Sequence, residues 1–436
     1  MTERSRTTEV AIVGGGLAGL TAASLLARGG RAVTVFERAP ALGGRAVTHA
    51  KGDFRFNLGP HALYRTGAAA RVLRELGVAY AGGVPSASGA FALARGGKHA
   101  LPGGFVSLIT TSLLGLAAKL ETARLLGSIN KIDAASVQTQ TVSEWLERNV
   151  RQPDVRRLVE ALVRVATYTN DPQRMSAGTA LAQVQAALGG GVSYLDGGWQ
   201  TLVEGLGRIA KEAGATILTS ARVVSVEHDA EALGVRLADG TLHACNAAII
   251  AGTPDVAAEI VGGSAAPTLR QWAEKAIPVK AACLDVGLSR LPQPRARFAL
   301  GIDEPVYFSV HSAVAKLAPE GGATIHVAKY LGDASDAKRD ERQLEAVLDL
   351  VQPGWQELIV ERRFLPTMTV VGALPAADAG GVSGRPGPQV PGVHNLYVAG
   401  DWVGKEGLLA DASMASAQRA AQLILQQKAE AVAAAA

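Results

Sequence analysis

Three glycines near the start of the chain have the spacing of a phosphate-binding turn. Gly14, Gly16 and Gly19 follow the apolar run 10–13 and precede an Ala- and Leu-rich stretch that predicts a helix over 17–28. In such a turn the first glycine permits a tight bend, the second lets the backbone approach a pyrophosphate, and the third lets helix and strand pack closely. The free N–H groups at the start of the helix favour an anion. The pattern predicts a dinucleotide-binding site.

An acidic residue closes this unit. Glu37 follows a second apolar run, 32–36, and lies 18 residues beyond Gly19. A carboxylate at the end of the second strand can accept hydrogen bonds from both ribose hydroxyls of a dinucleotide. Leu17 and Ala18, the first residues of the predicted helix, complete the phosphate-binding turn. The order of strand, glycine turn, helix, strand and acid predicts the first βαβ unit of a doubly wound sheet.

Directly after Glu37 the sequence departs from that of nicotinamide dehydrogenases. Arg38 follows the acid, and the pair Gly43-Gly44 precedes Arg45. An acid, five residues and then Gly-Gly-Arg resembles the extended N-terminal fingerprint of FAD-dependent oxidoreductases in the amine oxidase, protoporphyrinogen oxidase and phytoene desaturase superfamily. The resemblance implies that both glycines pass close to the diphosphate and the flavin, and that Arg45 contacts the diphosphate or the flavin edge.

Three further segments carry the same resemblance. The segment 56–61 is similar to the family's stretch near the isoalloxazine, and the predicted hairpin beginning with 222–226 is similar to one whose backbone pairs with adenine. The segments 395–402 and 411–417 are similar to the second FAD motif, in which an aspartate lies near the ribitol and a helix N-terminus faces the flavin edge. The roles implied by these segments fall on Gly59, Pro60, His61, Val223, Gly400, Asp401, Ser413 and Met414.

The resemblance also implies an α/β fold with two lobes. We expect a Rossmann-like FAD-binding lobe with a parallel sheet, discontinuous in sequence and formed by residues 1–70, 195–255 and 391–428. The substrate lobe is expected to be α+β with a helical insertion, of the glutathione-reductase and amine oxidase type, and is formed by residues 71–194 and 256–390.

Three side chains are candidates for the chemistry itself. Lys280 precedes the apolar strand-like run 281–287, a setting similar to that of the amine oxidase lysine that holds a water against flavin N5. The resemblance implies that it polarises a water or dioxygen, although a lysine at a strand start is also typical of a surface. His61 and Tyr64 are expected near the flavin face, although a single histidine is more often structural. Ser413 stands where amine oxidases have an aromatic residue of the substrate cage, and aromatic residues make up only 5% of the chain, which leaves little material for a cage.

Hydride transfer needs a dry, well-aligned pocket and little acid–base machinery. We therefore expect an enzyme that oxidises or desaturates a small or apolar organic substrate by hydride transfer to flavin N5. Two alternatives stay open, namely an isoprenoid- or carotenoid-type desaturase or isomerase at a membrane surface, and a flavin-binding protein without catalysis. The helix predicted over 107–126 lies in the segment 105–126, whose apolar residues indicate a face for a membrane surface or an apolar tunnel, but an ordinary core-facing helix explains them as well.

Composition excludes several other classes. The 436 residues include 43 basic and 39 acidic side chains, a balance that predicts no nucleic-acid binding. The two cysteines, Cys245 and Cys283, favour a reducing compartment, and neither is placed for a covalent link, so we expect non-covalent FAD. The spacing of histidines and cysteines predicts no metal site. Because no signal-peptide segment precedes Val10 and no apolar run is long enough to span a bilayer, we expect a cytoplasmic protein with possible peripheral membrane contact.

Overall fold

The computed structural model describes residues 6–86, 89–228, 233–332 and 335–435. Within these ranges the strands, in chain order, are β1 (Arg6–Val13), β2 (Val33–Phe36), β3 (Thr48–Lys51), β4 (Phe54–Asn57), β5 (Leu63–Tyr64), β6 (Gly82–Gly83), β7 (Ala90–Ala94), β8 (Gly97–Ala100), β9 (Val192–Leu195), β10 (Thr216–Leu218), β11 (Val223–His228), β12 (Leu233–Leu237), β13 (Leu242–Ile250), β14 (Val279–Leu288), β15 (Phe298–Gly301), β16 (Val306–Val310), β17 (Ala323–Tyr330), β18 (Ile359–Val371) and β19 (Leu396–Val398).

Helices occupy most of the remaining chain. In the same order they are α1 (Leu17–Arg28), α2 (Ala68–Leu76), α3 (Phe105–Thr110), α4 (Leu116–Ser128), α5 (Val142–Asn149), α6 (Pro153–Thr167), α7 (Ala177–Gly190), α8 (Gln200–Glu212), α9 (Pro254–Ile260), α10 (Ala266–Lys275), α11 (Ala337–Val351) and α12 (Leu409–Ala435).

The first sheet has a parallel core with an antiparallel extension. The parallel strands run in the order β10, β2, β1 and β13, and β19 joins the C-terminal half of β13. Val10 lies between Val33 and Ala247, and Ala248 lies beside Leu396. The N-terminal half of β13 pairs with β12 instead, and β12 pairs with β11, both antiparallel. This is the mixed α/β fold that the sequence predicts.

Small side chains bring two helices close to one face of this sheet. Ala22 and Leu26 of α1 share a core with Ala417 and Ala421 of α12 and with Ile12 of β1. Both faces of the parallel strands are covered, which explains why they are runs of Val, Ile and Ala rather than alternating sequences. As a result, the N-terminus of α1 is held at the carboxyl ends of β1 and β2.

The second sheet runs in the order β18, β14, β17, β16, β15, β7 and β8. The pair of β15 and β7 is parallel and the other pairs are antiparallel. Leu344 and Leu348 of α11 pack on Leu284 and Val286 of β14 and cover one face. The opposite face packs against the helical insertion that contains α3–α7. Strands of the first sheet all come from segments 1–70, 195–255 and 391–428, and those of the second from 71–194 and 256–390.

The helix predicted over 107–126 is two helices. α3 ends at Thr110 and α4 begins at Leu116, after Gly115. The Thr111 hydroxyl donates to the Ala100 carbonyl at 2.6 Å, which ties the linker to β8. Such a side-chain bond competes with helical hydrogen bonds and favours a turn. In the parts of the chain that the structure describes, no helix combines the length and apolarity needed to cross a membrane.

Candidate functional site

A cavity of about 550 Å³ opens at the carboxyl ends of the parallel strands. Both glycine turns, the N-terminus of α12 and the edge strand β18 line it. In doubly wound sheets, ligands bind at this edge of the sheet. The residues singled out from the sequence that line the cavity are Gly14, Gly16, Leu17, Ala18, Glu37, Arg38, Gly43, Gly44, Arg45, Pro60, His61, Val223, Gly400, Asp401 and Ser413.

The two glycine turns meet at the cavity. Gly16 and Gly43 form a parallel β-bridge, and the Gly43 N–H donates to the Gly15 carbonyl at 2.9 Å. A Cβ atom at Gly16 would be 3.8 Å from the nearest protein atom, so the space beside it is open. Gly19 lies behind the lining, and a Cβ atom there would overlap the Gly14 carbonyl oxygen. The open backbone cradle at the start of α1 fits a pyrophosphate.

Glu37 lies directly after β2, is buried and lines the cavity. Its Oε2 accepts a hydrogen bond from the Gly15 N–H at 2.7 Å, and its Oε1 accepts one from the Ala39 N–H at 2.8 Å. Each oxygen retains further acceptor capacity, so the carboxylate can still bind ribose hydroxyls. Val223, the first residue of β11, also lines the cavity. These residues fit the adenosine part of a dinucleotide.

Asp401 follows β19 on the far side of β13. Its Oδ2 accepts hydrogen bonds from Arg45 Nη1 at 2.7 Å and from the Gly372 N–H at 2.8 Å. Burial raises the pKa of this carboxyl, but Arg45, the Gly372 N–H and Arg385 together hold it below its ordinary value, so Asp401 is ionised. Its buried Oδ1 has no partner among the described residues. An unpaired acceptor beside the cavity fits a hydroxyl group of the FAD ribitol.

Arg385 was missed by the sequence analysis. The side chain is nine-tenths buried, and Nη1 donates to the Gly407 carbonyl at 3.0 Å. Burial lowers its pKa to about 10, and the Asp401 carboxylate counteracts that effect. The Gly- and Pro-rich loop from 374 to 392 offered no pattern that distinguishes this arginine from a solvated one.

The N-terminus of α12 reaches the cavity. Leu409 and Ser413 line it. The helix begins at Leu409, two residues before the start predicted at Asp411. The positive end of the helix dipole therefore faces the cavity. The Asp411 side chain is turned to α2, where its Oδ1 accepts a hydrogen bond from the Ala69 N–H at 2.7 Å. Burial raises the pKa of Asp411 to about 6.

His61 lines the cavity, but its ring nitrogens face the backbone. Nδ1 lies 3.1 Å from the Gly59 carbonyl oxygen and Nε2 lies 3.0 Å from that of Arg45. The ring packs edge-on to Trp199 with the centroids 4.9 Å apart, and burial lowers the histidine pKa to about 4. Because both nitrogens face protein carbonyls, His61 forms a wall, and the catalytic role predicted for it has no geometric support.

The structure corrects the prediction for Lys280. Its side chain is exposed and does not line the cavity. Side chains alternate along a strand, so Lys280 shares a face of β14 with Ala282 and Leu284, which pack in the core under α11. Cys283, on the opposite face, is directed towards Gly59. The sequence located the strand but not the face that points to the cavity.

Three other predicted residues lie outside the cavity lining. The buried Tyr64 hydroxyl donates to the Ala166 carbonyl at 3.0 Å, so the structure gives no support to the predicted place at the flavin face. Gly59 has a φ of +73°, and a Cβ atom there would overlap the end of Met368, so this glycine lets β18 approach. Met414 is fully buried in the core.

One tyrosine of the helical insertion reaches the cavity wall. Tyr168 lines the cavity, and its hydroxyl donates to the Pro60 carbonyl at 2.9 Å. Its ring packs edge-on to Tyr330 with the centroids 6.1 Å apart. Burial, followed by the neighbouring phenols of Tyr330, Tyr194 and Tyr64, raises the pKa of Tyr168 well above its ordinary value. The backbone of Tyr168 has a φ of +59°, a strained conformation that ends α6.

A second polar cluster lies inside the antiparallel sheet. The Asp285 Oδ1 accepts hydrogen bonds from His326 Nδ1 at 2.5 Å and from the Cys283 thiol at 3.0 Å. Arg363 donates to the other carboxylate oxygen through Nε at 3.0 Å. The Cys, Asp and His atoms lie within 4.8 Å of one another, as metal ligands do, but hydrogen bonds to the carboxylate explain their geometry. Burial raises the pKa of the Cys283 thiol well above its ordinary value.

The edge strand β18 supplies a wall that the sequence analysis missed altogether. Met368, Thr369 and Val370 line the cavity. The strand contains Pro366 and the charged pair Arg362-Arg363, so its sequence lacks the apolar or alternating pattern that predicts a strand. Proline is tolerated here because β18 lies at the edge of its sheet.

The fold and the cavity define the class of FAD-dependent oxidoreductases. Comparison with known families assigns the chain further: residues 17–425 match the family described as flavin containing amine oxidoreductase. The chain belongs to this family, whose cofactor is FAD, typically held without a covalent bond.

Individual relatives agree with the family. The protein named "Probable flavin-containing monoamine oxidase A" of Dictyostelium discoideum is 27% identical over 298 residues, 62% of this chain and 63% of that protein. An L-amino-acid oxidase of Crotalus adamanteus is 48% identical over 63 residues, 14% of this chain and 12% of that protein. The chain thus matches less than two thirds of the length of these relatives.

Solved structures share the fold. Putrescine oxidase bound to putrescine superposes with a TM-score of 0.74 at 16% identity, covering 97% of this chain and 100% of that one. Cyclohexylamine oxidase from Brevibacterium oxydans superposes with a TM-score of 0.72 at 16% identity, covering 96% of this chain and 99% of that one.

Proposed function

We propose that the protein oxidises a small or apolar organic substrate, with amines as the first class to test. One observation carries the proposal: a single cavity joins the two glycine turns to a wall of Pro60, Tyr168 and Met368. FAD, when bound, supplies the hydride acceptor at its N5. The names of the relatives, which include monoamine, putrescine and cyclohexylamine oxidases, support an amine as the reduced substrate.

Different residues along the cavity bind different parts of FAD in this proposal. The backbone at Gly14–Gly16 and at Gly43-Gly44 receives the pyrophosphate, and Glu37 accepts the ribose hydroxyls. Asp401 offers its unpaired oxygen to the ribitol, while the N-terminus of α12 places a positive dipole end at the cavity. These residues, which line one continuous cavity, would together hold an FAD.

The walls facing the second lobe exclude water and orient the substrate. The Tyr168 hydroxyl donates to the Pro60 carbonyl, and the neutral His61 ring donates to one of the two backbone carbonyls that its nitrogens face; these contacts fix both rings. Neither is poised to move a proton, and burial makes both hard to ionise. Such walls suit transfer of a hydride from a C–H bond of a neutral substrate, since alignment and dryness matter more than acid–base groups.

Anaerobic reduction tests the proposal. The purified flavoprotein is mixed without oxygen with primary amines, polyamines and L-amino acids in turn, and the flavin absorbance is followed. Bleaching by one class, with recovery and hydrogen peroxide release on admitting air, is the expected result. Dithionite serves as the control for a competent flavin. If dithionite bleaches the flavin and no substrate class does, the protein binds flavin without oxidising these substrates.

A second candidate is a desaturase or isomerase of isoprenoids at a membrane. One observation favours it: five apolar side chains are exposed on α3 and α4. We call this set, which consists of Phe105, Val106, Ile109, Leu116 and Leu120, the α3–α4 surface. Incubation with a polyene in vesicles, followed by chromatography of the extract, distinguishes it from an amine oxidase. For either candidate we propose a cytoplasmic location, which the two unpaired, buried cysteines support.

A further inference from the structure

The exposed large apolar side chains of this protein are unevenly distributed. Phe105 is 79% exposed, Val106 72%, Ile109 55%, Leu116 76% and Leu120 66%. All five lie within a span of the chain that starts at α3 and ends in the second turn of α4. Single exposed apolar residues are ordinary in any protein, but a contiguous group marks a surface that contacts another apolar phase.

The five side chains form one surface because α3 and α4 are packed together. Lys119 Nζ donates to the Ile109 carbonyl at 2.5 Å, which joins the two helices. Phe105 and Ile109 are four residues apart, as are Leu116 and Leu120, so each pair shares a helix face.

A different set of apolar residues anchors α3 and α4 in the core. Leu108, Leu113, Leu114, Ala118 and Leu125 of the same segment are buried in the core of the helical insertion. The pair α3 and α4 therefore has two apolar faces, one buried in the core and one exposed. An ordinary core-facing helix has a single apolar stripe, so the core does not explain the α3–α4 surface.

The turn between the helices is anchored, which keeps the exposed face in place. His99 Nδ1 lies 2.8 Å from the Ser112 hydroxyl, and the Thr111 hydroxyl donates to the Ala100 carbonyl. At the other end, the Ser107 hydroxyl and the Gly104 N–H are 3.0 Å apart and cap α3. The fold thus presents these side chains to the outside by specific contacts.

The charges around the surface are mostly positive. Between residues 98 and 131 the basic residues are Lys98, Lys119, Arg124 and Lys131, against a single acid. That acid, Glu121, uses both carboxylate oxygens to accept the N–H groups of Arg151 and Gln152. Basic residues in the segment that carries an exposed apolar face complement anionic lipid headgroups above an acyl layer.

We propose that the α3–α4 surface docks the protein on the surface of a bilayer that contains anionic phospholipids. A second copy of the chain is the less favourable occupant, because a two-fold interface buries the same patch of both copies and so brings two sets of basic residues, with Lys119 and Arg124 among them, into one interface. The docking is peripheral: α3 and α4 lie in the headgroup region with Phe105, Val106 and Leu116 inserted. It does not depend on which substrate the enzyme oxidises.

Vesicle flotation tests the proposal with the full flavoprotein. The probes are vesicles of phosphatidylcholine alone and of phosphatidylcholine with phosphatidylglycerol. The wild type is expected to float with the anionic vesicles, and less so as salt rises. The double variant Phe105→Gln/Leu116→Gln is expected to bind them at least about tenfold more weakly, because two inserted apolar side chains are lost.

Two further variants make the result interpretable. Arg124→Gln is expected to bind anionic vesicles several-fold more weakly, at about 1 kcal/mol per basic residue, and to flatten the salt dependence. Val360→Gln changes an apolar residue that is 55% exposed on the distant strand β18, and it is expected to bind like the wild type. The flavin spectrum of each variant reports on folding and leaves the oxidase proposal untouched.

Two results overturn the proposal. Equal flotation of the wild type and the double variant would show that the α3–α4 surface does not contact lipid. Absence of flotation, together with a dimer in sedimentation velocity that the double variant converts to a monomer, would show that a second copy covers this surface.

Discussion

The polar residues of the two sheets lie in different places. In the first sheet, Glu37 and Asp401 follow the carboxyl ends of their strands and line the cavity. In the second sheet, Asp285 and His326 lie in the middle of β14 and β17, where they are fully buried. A carboxylate beyond a strand end can face a ligand, whereas one inside a covered sheet needs a protein partner. Acidic residues thus line the cavity in the first lobe and pair with buried protein groups in the second.

The largest expected effect tests the structural half of this comparison. Asp285→Ala leaves Arg363 buried without its carboxylate and should lower the free energy of unfolding by ~3–5 kcal/mol. Urea unfolding followed by circular dichroism measures it. The double variant Asp285→Ala/Arg363→Leu should recover part of the loss, because no uncompensated charge remains. A stable Asp285→Ala protein that has lost FAD would instead assign this carboxylate to the binding site.

The next effect concerns Asp411, which lies near the cavity but whose side chain is directed to α2. Burial raises the folded-state pKa of Asp411 to about 6, above the ordinary value of 3.8, so the folded state retains a proton that the unfolded state releases. The stabilisation is therefore complete below about pH 4 and is lost as the pH rises through 6. In the apoprotein, the wild type should lose up to about 3 kcal/mol relative to Asp411→Asn across this range. Parallel pH profiles of urea unfolding for both proteins are the measurement.

The binding half of the comparison is tested by Glu37. Glu37→Ala should weaken FAD binding by ~1.5–3 kcal/mol for each charge-assisted hydrogen bond lost to the ribose. Titration of apoprotein with FAD, followed by flavin fluorescence, gives the dissociation constant. Glu37→Gln is the matched control that retains an acceptor at the same place. A variant that binds FAD as tightly as the wild type would contradict the assignment of the adenosine end of the cavity.

The smallest effect is expected for Lys280. Since its side chain lies on the α11 face of β14, Lys280→Met should leave both FAD affinity and the rate of flavin reoxidation by air within about twofold, as expected of an exposed substitution. Stopped-flow mixing of photoreduced protein with oxygenated buffer measures the rate. Slowing by ten- to a hundredfold would restore the role implied by the amine oxidase resemblance and would require β14 to present this face to the cavity.

The sequence predicts the first lobe better than the second for a physical reason. The turn at Gly14–Gly19 and the acid Glu37 depend on contacts within one βαβ unit, so local spacing is enough to find them. The helix predicted over 17–28 agrees with α1, residue for residue. These residues line the cavity or pack directly behind it.

In the second lobe, position depends on contacts that are distant in sequence. The sequence could not predict which face of β14 carries Lys280, because an apolar strand covered on both sides shows no alternation of polar and apolar residues. Tyr168 acquires its role from the left-handed end of α6 and from its contact with Pro60, neither of which a local pattern predicts. β18 escaped notice because Pro366 is compatible with a strand only at a sheet edge, and edges are set by the whole topology.

The pairing of β19 with β13 determines the stage of synthesis at which the cavity can form. β19 spans Leu396–Val398, and Asp401 and Leu409 follow it, so part of the cavity is synthesised long after Gly14 and Glu37. Because the ribosome makes the chain from its N-terminus, the two N-terminal residues must wait until β19 has emerged. Until then the C-terminal half of β13 lacks the neighbour it pairs with and is an open strand edge beside the incomplete cavity. A nascent chain stalled before β19 therefore has no complete binding site for FAD.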